Sequence, residues 1–249
     1  MNTQEKLVAL KTIATKEILR FSRIWIQTIL PPVITTALYF VIFGNLIGPR
    51  IGKMDGFGYM EFIIPGLIMM AVITNSYANV VSSFYGSKFQ RHIEEMIISP
   101  TPNYIILLGF ICGGVARGLA VGVAVTIVSL VFHPLNIHSL WIMFSMIILT
   151  AILFSLAGLI NGVYAKSFDD IAIIPTVVLT PLTYLGGIFY SINMLPEFWQ
   201  QLSLANPILY MVNAFRYGFL GISDIGLMTS YVIIIAFIIT LYFFSLYLL

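Results

Sequence analysis

The chain has 249 residues, 59% hydrophobic and 9% charged, with a formal net charge of +2. A soluble domain carries roughly 25% charged residues and under 50% apolar ones, so this composition, with a mean hydropathy of +1.00, excludes a soluble globular enzyme. The near-neutral balance argues against a nucleic-acid partner, and the continuous rather than alternating apolar runs argue against a β-barrel, leaving an all-α polytopic membrane protein.

The first element in chain order is amphipathic. Leu7, Leu10, Ala14, Ile18 and Phe21 form an apolar stripe, with Lys16, Arg20 and Arg23 on the opposite arc and Lys11 at its edge, as in a helix lying in the headgroup layer over residues 1–23. The pattern leaves open whether this helix only anchors the chain or also touches a partner. It is too charged for a signal peptide, so the first span is expected to act as its own targeting signal. Beyond it, nothing charged lies between Arg23 and Arg50, Glu61 and Lys88, Arg117 and Lys166, Asp170 and Glu197, or after Asp224. These gaps suit a hydrocarbon core of about 30 Å, which takes roughly 20 helical residues to cross. The gap after Arg117 holds two crossings, divided at Phe132-His133-Pro134-Leu135-Asn136. Six transmembrane helices are therefore expected at roughly 24–47, 60–84, 103–132, 140–164, 171–190 and 228–249.

With the N-terminus inside, eight of the twelve Lys and Arg residues are cytoplasmic, Arg50, Lys53 and Arg216 are outside, and Arg117 lies within a span. Both termini are expected to be cytoplasmic, with Trp25 at the inner interface and Trp141 and Trp199 at the outer one. Cys112, the single cysteine, is expected to be buried in the third span, so no disulfide or thiolate metal site forms within the chain.

Polar residues inside the spans are candidates for a substrate path. Asn75, Asn79 and Ser82 share one face of the second span, and Arg117 sits in the third without an acidic neighbour in sequence. Interhelical hydrogen bonding for the asparagines, and snorkelling for Arg117, are the alternatives. Tyr39, Phe40, Phe43 and Tyr77 either line a channel or pack. Gly114, Gly118 and Gly122, with Gly158 and Gly162, recur four apart and allow close helix approach, either within the subunit or at a dimer seam.

The cytoplasmic loop 85–102 concentrates charge: Arg91, His92, Glu94 and Glu95 precede Pro100 and Pro102. Within it Phe89, Ile93, Met96 and Ile97 recur at helical spacing, backed by Arg91, Glu94 and Glu95. Two readings fit. Either a short helix plugs into a groove on a cytoplasmic protein, or a membrane-hugging linker pairs Arg91 with Glu95 at i, i+4. The second cytoplasmic connection, Tyr164 to Asp170, suits a turn capped by Ser167 or Asp169.

The stretches RIWIQTILPPVITTALYFVIFGNLIG at Arg23 to Gly48, FQRHIEEMIISPTPNYIILLG at Phe89 to Gly109 and PLTYLGGIFYSINMLPEFWQQLSLANPILYMVNAFR at Pro181 to Arg216 carry a resemblance. Together they resemble the membrane subunit of ABC-2 type exporters, the permease family of bacterial polysaccharide, lipid-linked glycan and drug exporters. In the third stretch the matching positions are Pro181, Leu185, Gly186, Gly187, Phe189, Leu195, Pro196, Asn206, Pro207 and Arg216. The resemblance covers essentially the whole chain as one transmembrane domain, 1–249, although the final SLYLL lacks the family's usual basic tail. It implies a coupling helix at Phe89 to Ser99 that docks on an ATPase subunit through Phe89, Arg91, Ile93, Glu94, Glu95 and Met96, assisted by Lys166, Asp169 and Asp170. It further implies an outward-side re-entrant hairpin at 191–219 between helices 5 and 6, carrying Pro196, Asn206, Pro207 and Arg216. A second permease copy, giving a homodimer, and a bacterial inner-membrane location are also implied.

The sequence holds no Walker A loop: its one Gly-Lys, Gly52-Lys53, is followed by Met54, and Ile47 stands five residues before Gly52. ATP and Mg are accordingly expected on the partner ATPase, with no cofactor and no enzymatic centre in this chain. An ion-coupled secondary transporter is the alternative. It needs internal carboxylates, whereas Asp55, Glu61, Glu197 and Asp224 fall at or beyond span ends. A membrane-embedded enzyme is disfavoured, since His133 and His138 flank an outer loop without acidic neighbours and His92 sits in the charged cytoplasmic loop.

Overall fold

Long apolar helices gain nothing from lipid by associating, so their packing rests on small side chains, van der Waals fit and interhelical hydrogen bonds. The computed structural model describes residues 1–135 and 137–249. Asn136, the last residue of the expected polar break, lies outside those described.

Helix α1 (Thr3–Arg23) opens with a capping box in which the Asn2 amide donates to Glu5 at 2.8 Å, and it ends at Ile24. Then follow α2 (Trp25–Ile51), α3 (Tyr59–Phe89), α4 (His92–Ile98), α5 (Asn103–Phe132), α6 (Leu140–Tyr164), α7 (Asp170–Tyr184), α8 (Glu197–Leu204), α9 (Pro207–Leu220) and α10 (Leu227–Leu248). Between α2 and α3 a two-stranded antiparallel hairpin, β1 (Lys53–Met54) and β2 (Phe57–Gly58), turns on Asp55-Gly56, both at positive φ (48° and 86°). Asp-Gly is the pair that such a two-residue turn favours.

Helix α3 is the axis of the bundle. In its most apolar window 83% of residues are buried, against 17% in α2 and 11% in α10, so α2 and α10 form the rim. Glycines set the close approaches. A Cβ on Gly158 of α6 would stand 2.6 Å from the Tyr77 carbonyl oxygen of α3, and Gly114, Gly118 and Gly122 of α5 face Val80, Ser76 and Val72. The four-residue glycine spacing therefore serves packing within the subunit.

Among the described residues, five helices, α2, α3, α5, α6 and α10, are long and apolar enough to cross a membrane. The expected helix at 171–190 is shorter than anticipated: α7 stops at Tyr184, and its 15 residues span about 22 Å. The chain bends there because Gly187 takes φ +71°, and because the Asn206 side chain donates to the Leu182 carbonyl at 2.6 Å, holding the end of α7 against the start of α9. Cys112 also departs from expectation. It is exposed on the outer surface of α5 rather than buried.

Candidate functional site

The end of α3 is built to carry the two loops read as cytoplasmic. Lys88 donates its ammonium to the Val163 and Ala165 carbonyls at 2.6 and 2.8 Å, satisfying acceptors at the C-terminal end of α6. Tyr85 donates to the Lys166 carbonyl at 3.0 Å, and its ring packs edge-on against Phe168 at 4.9 Å, with Phe89 closing the cluster at 5.3 Å from Phe168. The 164–170 turn is thereby fixed beside loop 85–102. Within it Asp170 accepts the amides of Lys166 and Ser167, and its own amide donates to the Ser167 hydroxyl. The Lys166 amide, then the Ser167 hydroxyl and amide, hold the Asp170 carboxyl below the usual carboxylate range. Ser167 thus caps α7 as expected, whereas Asp169 makes no cap bond.

Helix α4 is shorter than the expected Phe89 to Ser99. Arg91 takes a left-handed φ of 62° and ends the run from α3. Outside the helix, it makes no ion pair with Glu95 among the described residues. The single apolar face divides. Ile93 is buried against a cluster containing Phe84, Ile106 and Phe110, and Met96 packs at its edge. Phe89 (65% exposed), Ile97 and Ile98 (84%) point outward, and Glu94 and Glu95 are exposed beside them. Ile93 and Met96 are anchors, and Phe89, Ile97 and Ile98 are the free surface.

A second constellation joins α1, α3 and α5. Glu17 is 0% exposed and lies 3.4 Å from the Lys16 ammonium and 3.5 Å from Arg20 Nε. Arg20 reaches across to α3, donating to the Asn79 carbonyl and side-chain oxygen at 2.8 and 2.9 Å and to Ser82 at 3.5 Å. Arg117 donates to the Asn75 side-chain oxygen at 3.0 Å. Gly113 allows α1 to approach this closely, since a Cβ there would stand 2.5 Å from the Glu17 side chain. Desolvating a carboxylate is costly, and the two cations beside Glu17 offset that cost. Helix α1 therefore does not simply turn its charges to water. Arg20 points inward, whereas Leu7 and Ile18 of the expected apolar stripe are exposed. Asn75 and Asn79 take the hydrogen-bonding role, and Arg117 is held by Asn75.

Asn75 also borders a groove of about 370 Å³ between α2 and α3, together with Thr35, Thr36, Tyr39 and Thr74. Beside it Tyr39, Phe43, Tyr184 and Phe189 form an aromatic shelf with ring centroids 5.0 to 5.9 Å apart. Of the aromatics considered for a channel, Tyr39 and Phe43 belong to this shelf. Phe40 and Tyr77 are buried in the core.

At the opposite end, α8 and α9 form a helical pair. Pro196 precedes α8, the Asn206 side chain accepts the Ile208 amide at 3.0 Å, and Pro207 takes the first position of α9. Arg216 is 1% exposed. It donates to the Gly187 carbonyl at 2.5 Å and the Phe62 carbonyl at 3.4 Å, and its guanidinium carbon lies 3.8 Å over the Phe62 ring. Asp224 accepts from Ser191 (3.0 Å), the Ile192 amide and Asn193 (both 3.3 Å), tying the start of this region to the loop after α9. His138 packs edge-on to Tyr217, and no group of three His, Cys, Asp or Glu side chains among the described residues could hold a metal ion.

The family model for the ABC-2 type transporter matches residues 8–220. This chain belongs to the ABC-2 type transporter family. Within the family it is 62% identical over 236 residues to the inner membrane transport permease YadH of Escherichia coli K12, covering 94% of this chain and 92% of that protein. It is also 23% identical over 185 residues to nodulation protein J of Rhizobium leguminosarum bv. viciae (74% of this chain, 71% of that protein). The match to nodulation protein J of Rhizobium meliloti is 22% over 204 residues, covering 82% and 78% of the two chains. As an ABC-2 family member, the chain is the transmembrane permease component of an ABC transporter. The relatives that give it this place are named as transport permeases rather than enzymes.

Glu17 was missed in the sequence. Its signal was present: it is the sole acid between Glu5 and Asp55 and stands three residues before Arg20, at the spacing that puts both on one helical face.

Proposed function

We propose that this ABC-2 permease is the membrane half of an ATP-driven exporter of the bacterial inner membrane, with both termini cytoplasmic, a second identical copy completing the pathway, and ATP and Mg held by separate ATPase subunits. The 62% identity to a protein named as an inner membrane transport permease supports the location. In this reading α7 completes a sixth crossing with the segment that follows it, and α8 and α9 are the re-entrant hairpin of the outer side.

The observation that carries the proposal is the cluster Tyr85, Phe89 and Phe168, which joins the two loops into one surface rimmed by Ile97, Ile98, Glu94 and Glu95. Exposed aromatics beside acidic residues suit a groove on a cytoplasmic protein, apolar anchors giving affinity and charges giving register. ATP-driven closure of the ATPase pair supplies the force. Phe89 receives it at the end of α3, and the clamp of Lys88 on α6 shares it between two spans. The pathway is assigned to the groove between α2 and α3, with the aromatic shelf as its wall.

Charge reversal at Glu94 and Glu95 tests this directly. The expected result is ATP hydrolysis uncoupled from export, with membrane insertion unchanged; transport that proceeds unaltered would refute the coupling role. An ion-coupled carrier finds one observation in its favour, the buried Glu17, but that carboxylate is already paired with Lys16 and Arg20. Export that persists in ATP-depleted vesicles under a proton gradient would select the carrier.

A further inference from the structure

We propose that the elbow between α1 and α2 binds the phosphate headgroup of an anionic glycerophospholipid. The elbow exists because Ile24, at φ −113° and ψ 35°, interrupts the helical run. Lys16, Leu19, Arg20, Arg23 and Ile24 border an open recess of about 570 Å³ there. Three of these five side chains are cations. The one carboxylate that pairs with them among the described residues is Glu17, which engages Lys16 and Arg20. Three cations against one carboxylate leave a surplus of two positive charges, and Arg23 has no ion-pair partner among the described residues.

The remaining walls are apolar. Leu19 and Ile24 are exposed, and so is Trp25, the next residue in the chain. A free phosphate ion has no use for such flanks, whereas a headgroup that brings its acyl chains matches both the charge and the walls. The recess shares no lining residue with the Tyr85, Phe89 and Phe168 cluster, and its test reads lipid binding rather than ATPase docking. Lys16 also borders a cleft lined by His92 and Glu95, which makes Arg23 the cleaner position to test.

The test uses the full chain in detergent, exchanged against phosphatidylglycerol or phosphatidylcholine, with bound lipid counted by native mass spectrometry. Wild type is compared with Arg23→Ala, Arg23→Lys and the Lys16→Ala/Arg23→Ala pair. One phosphatidylglycerol per chain should be retained in preference to phosphatidylcholine. Its affinity should fall about fivefold for Arg23→Ala and roughly 30-fold for the pair, from about 1 kcal/mol per cation near an anionic surface. Arg23→Lys should retain binding, and millimolar inorganic phosphate should not displace the lipid. Equal retention of both lipids, or equal affinity in wild type and Arg23→Ala, overturns the proposal. So does displacement by inorganic phosphate, which would mark a site for soluble anions. Arg23→Ala removes no ion pair seen in the fold, so its result stands even where the double variant fails to fold.

Discussion

Two arginines are drawn into the protein from opposite ends of α3, and they are held in different ways. Arg216 is fixed by backbone: the Gly187 and Phe62 carbonyls, with the Phe62 ring beneath it. Arg20 is held by the Asn79 carbonyl at 2.8 Å and by three side chains, Glu17 of its own helix and Asn79 and Ser82 of α3. Carbonyl acceptors move only with the main chain, so the site that receives Arg216 keeps its shape. A guanidinium bound to an amide and a carboxylate can exchange partners by rotamer changes. The Arg216 end is thus the more fixed of the two, and the Arg20 end, held mostly by side chains, the more adjustable.

This contrast can be broken most sharply at Arg216. Arg216→Ala leaves two buried carbonyls without their donor, and should cost about 3–5 kcal/mol, read as a large drop in the detergent melting temperature. Glu17→Gln keeps the shape but removes the charge that balances Lys16 and Arg20; a loss of about 2–3 kcal/mol is expected, less than at Arg216. An equal or larger loss at Glu17 would mean that the α1 end is the fixed one. For adjustability itself, a double-mutant cycle between Arg20→Ala and Asn79→Ala should give a coupling of about 0.5–2 kcal/mol, and zero coupling would show that the two do not act together. The smallest effect on stability is expected from Phe89→Ser, within about 0.5 kcal/mol because the ring is exposed, together with at least a tenfold weaker association with the ATPase in a pull-down titration. Ile93→Ser, by contrast, should destabilise the fold, because Ile93 is packed against Phe84 and Phe110.

Much of the fold was legible in the sequence because bilayer thickness dictates how far apart charges must lie, and the ends of α5, α6 and α10 fall within a residue of the expected 103–132, 140–164 and 228–249. Helix α7 was misjudged for a tertiary reason. Its early stop depends on Gly187 and on Asn206, a residue 24 positions beyond the carbonyl it binds. The site was half legible. Helical spacing identified Phe89 and Ile93 as one apolar set, but local periodicity cannot say which member meets the subunit's own core. The division depends on Phe110 and Ile106, which arrive from another helix. Arg20 falls on the polar arc of α1 by its spacing; its inward turn was not legible because its partner Asn79 lies 59 residues away, and no local pattern records that pairing.

The clamp of Lys88 on the last carbonyls of α6 has a mechanical consequence. With α3 and α6 tied at this end, a force applied at Phe89 would load both helices together, and if α3, which carries Pro65 within it, tilts as one 31-residue rod, the displacement reaches its far end. That rod is about 46 Å long, so a tilt of about 5° around its middle carries each end about 2 Å in opposite senses. Such a stroke is small against a helix diameter, yet it exceeds the tolerance of a hydrogen bond. The first contacts it would break at the far end are those that α3 makes there, from the Tyr59 hydroxyl and the Phe62 carbonyl to the segment that follows α7 and to α9.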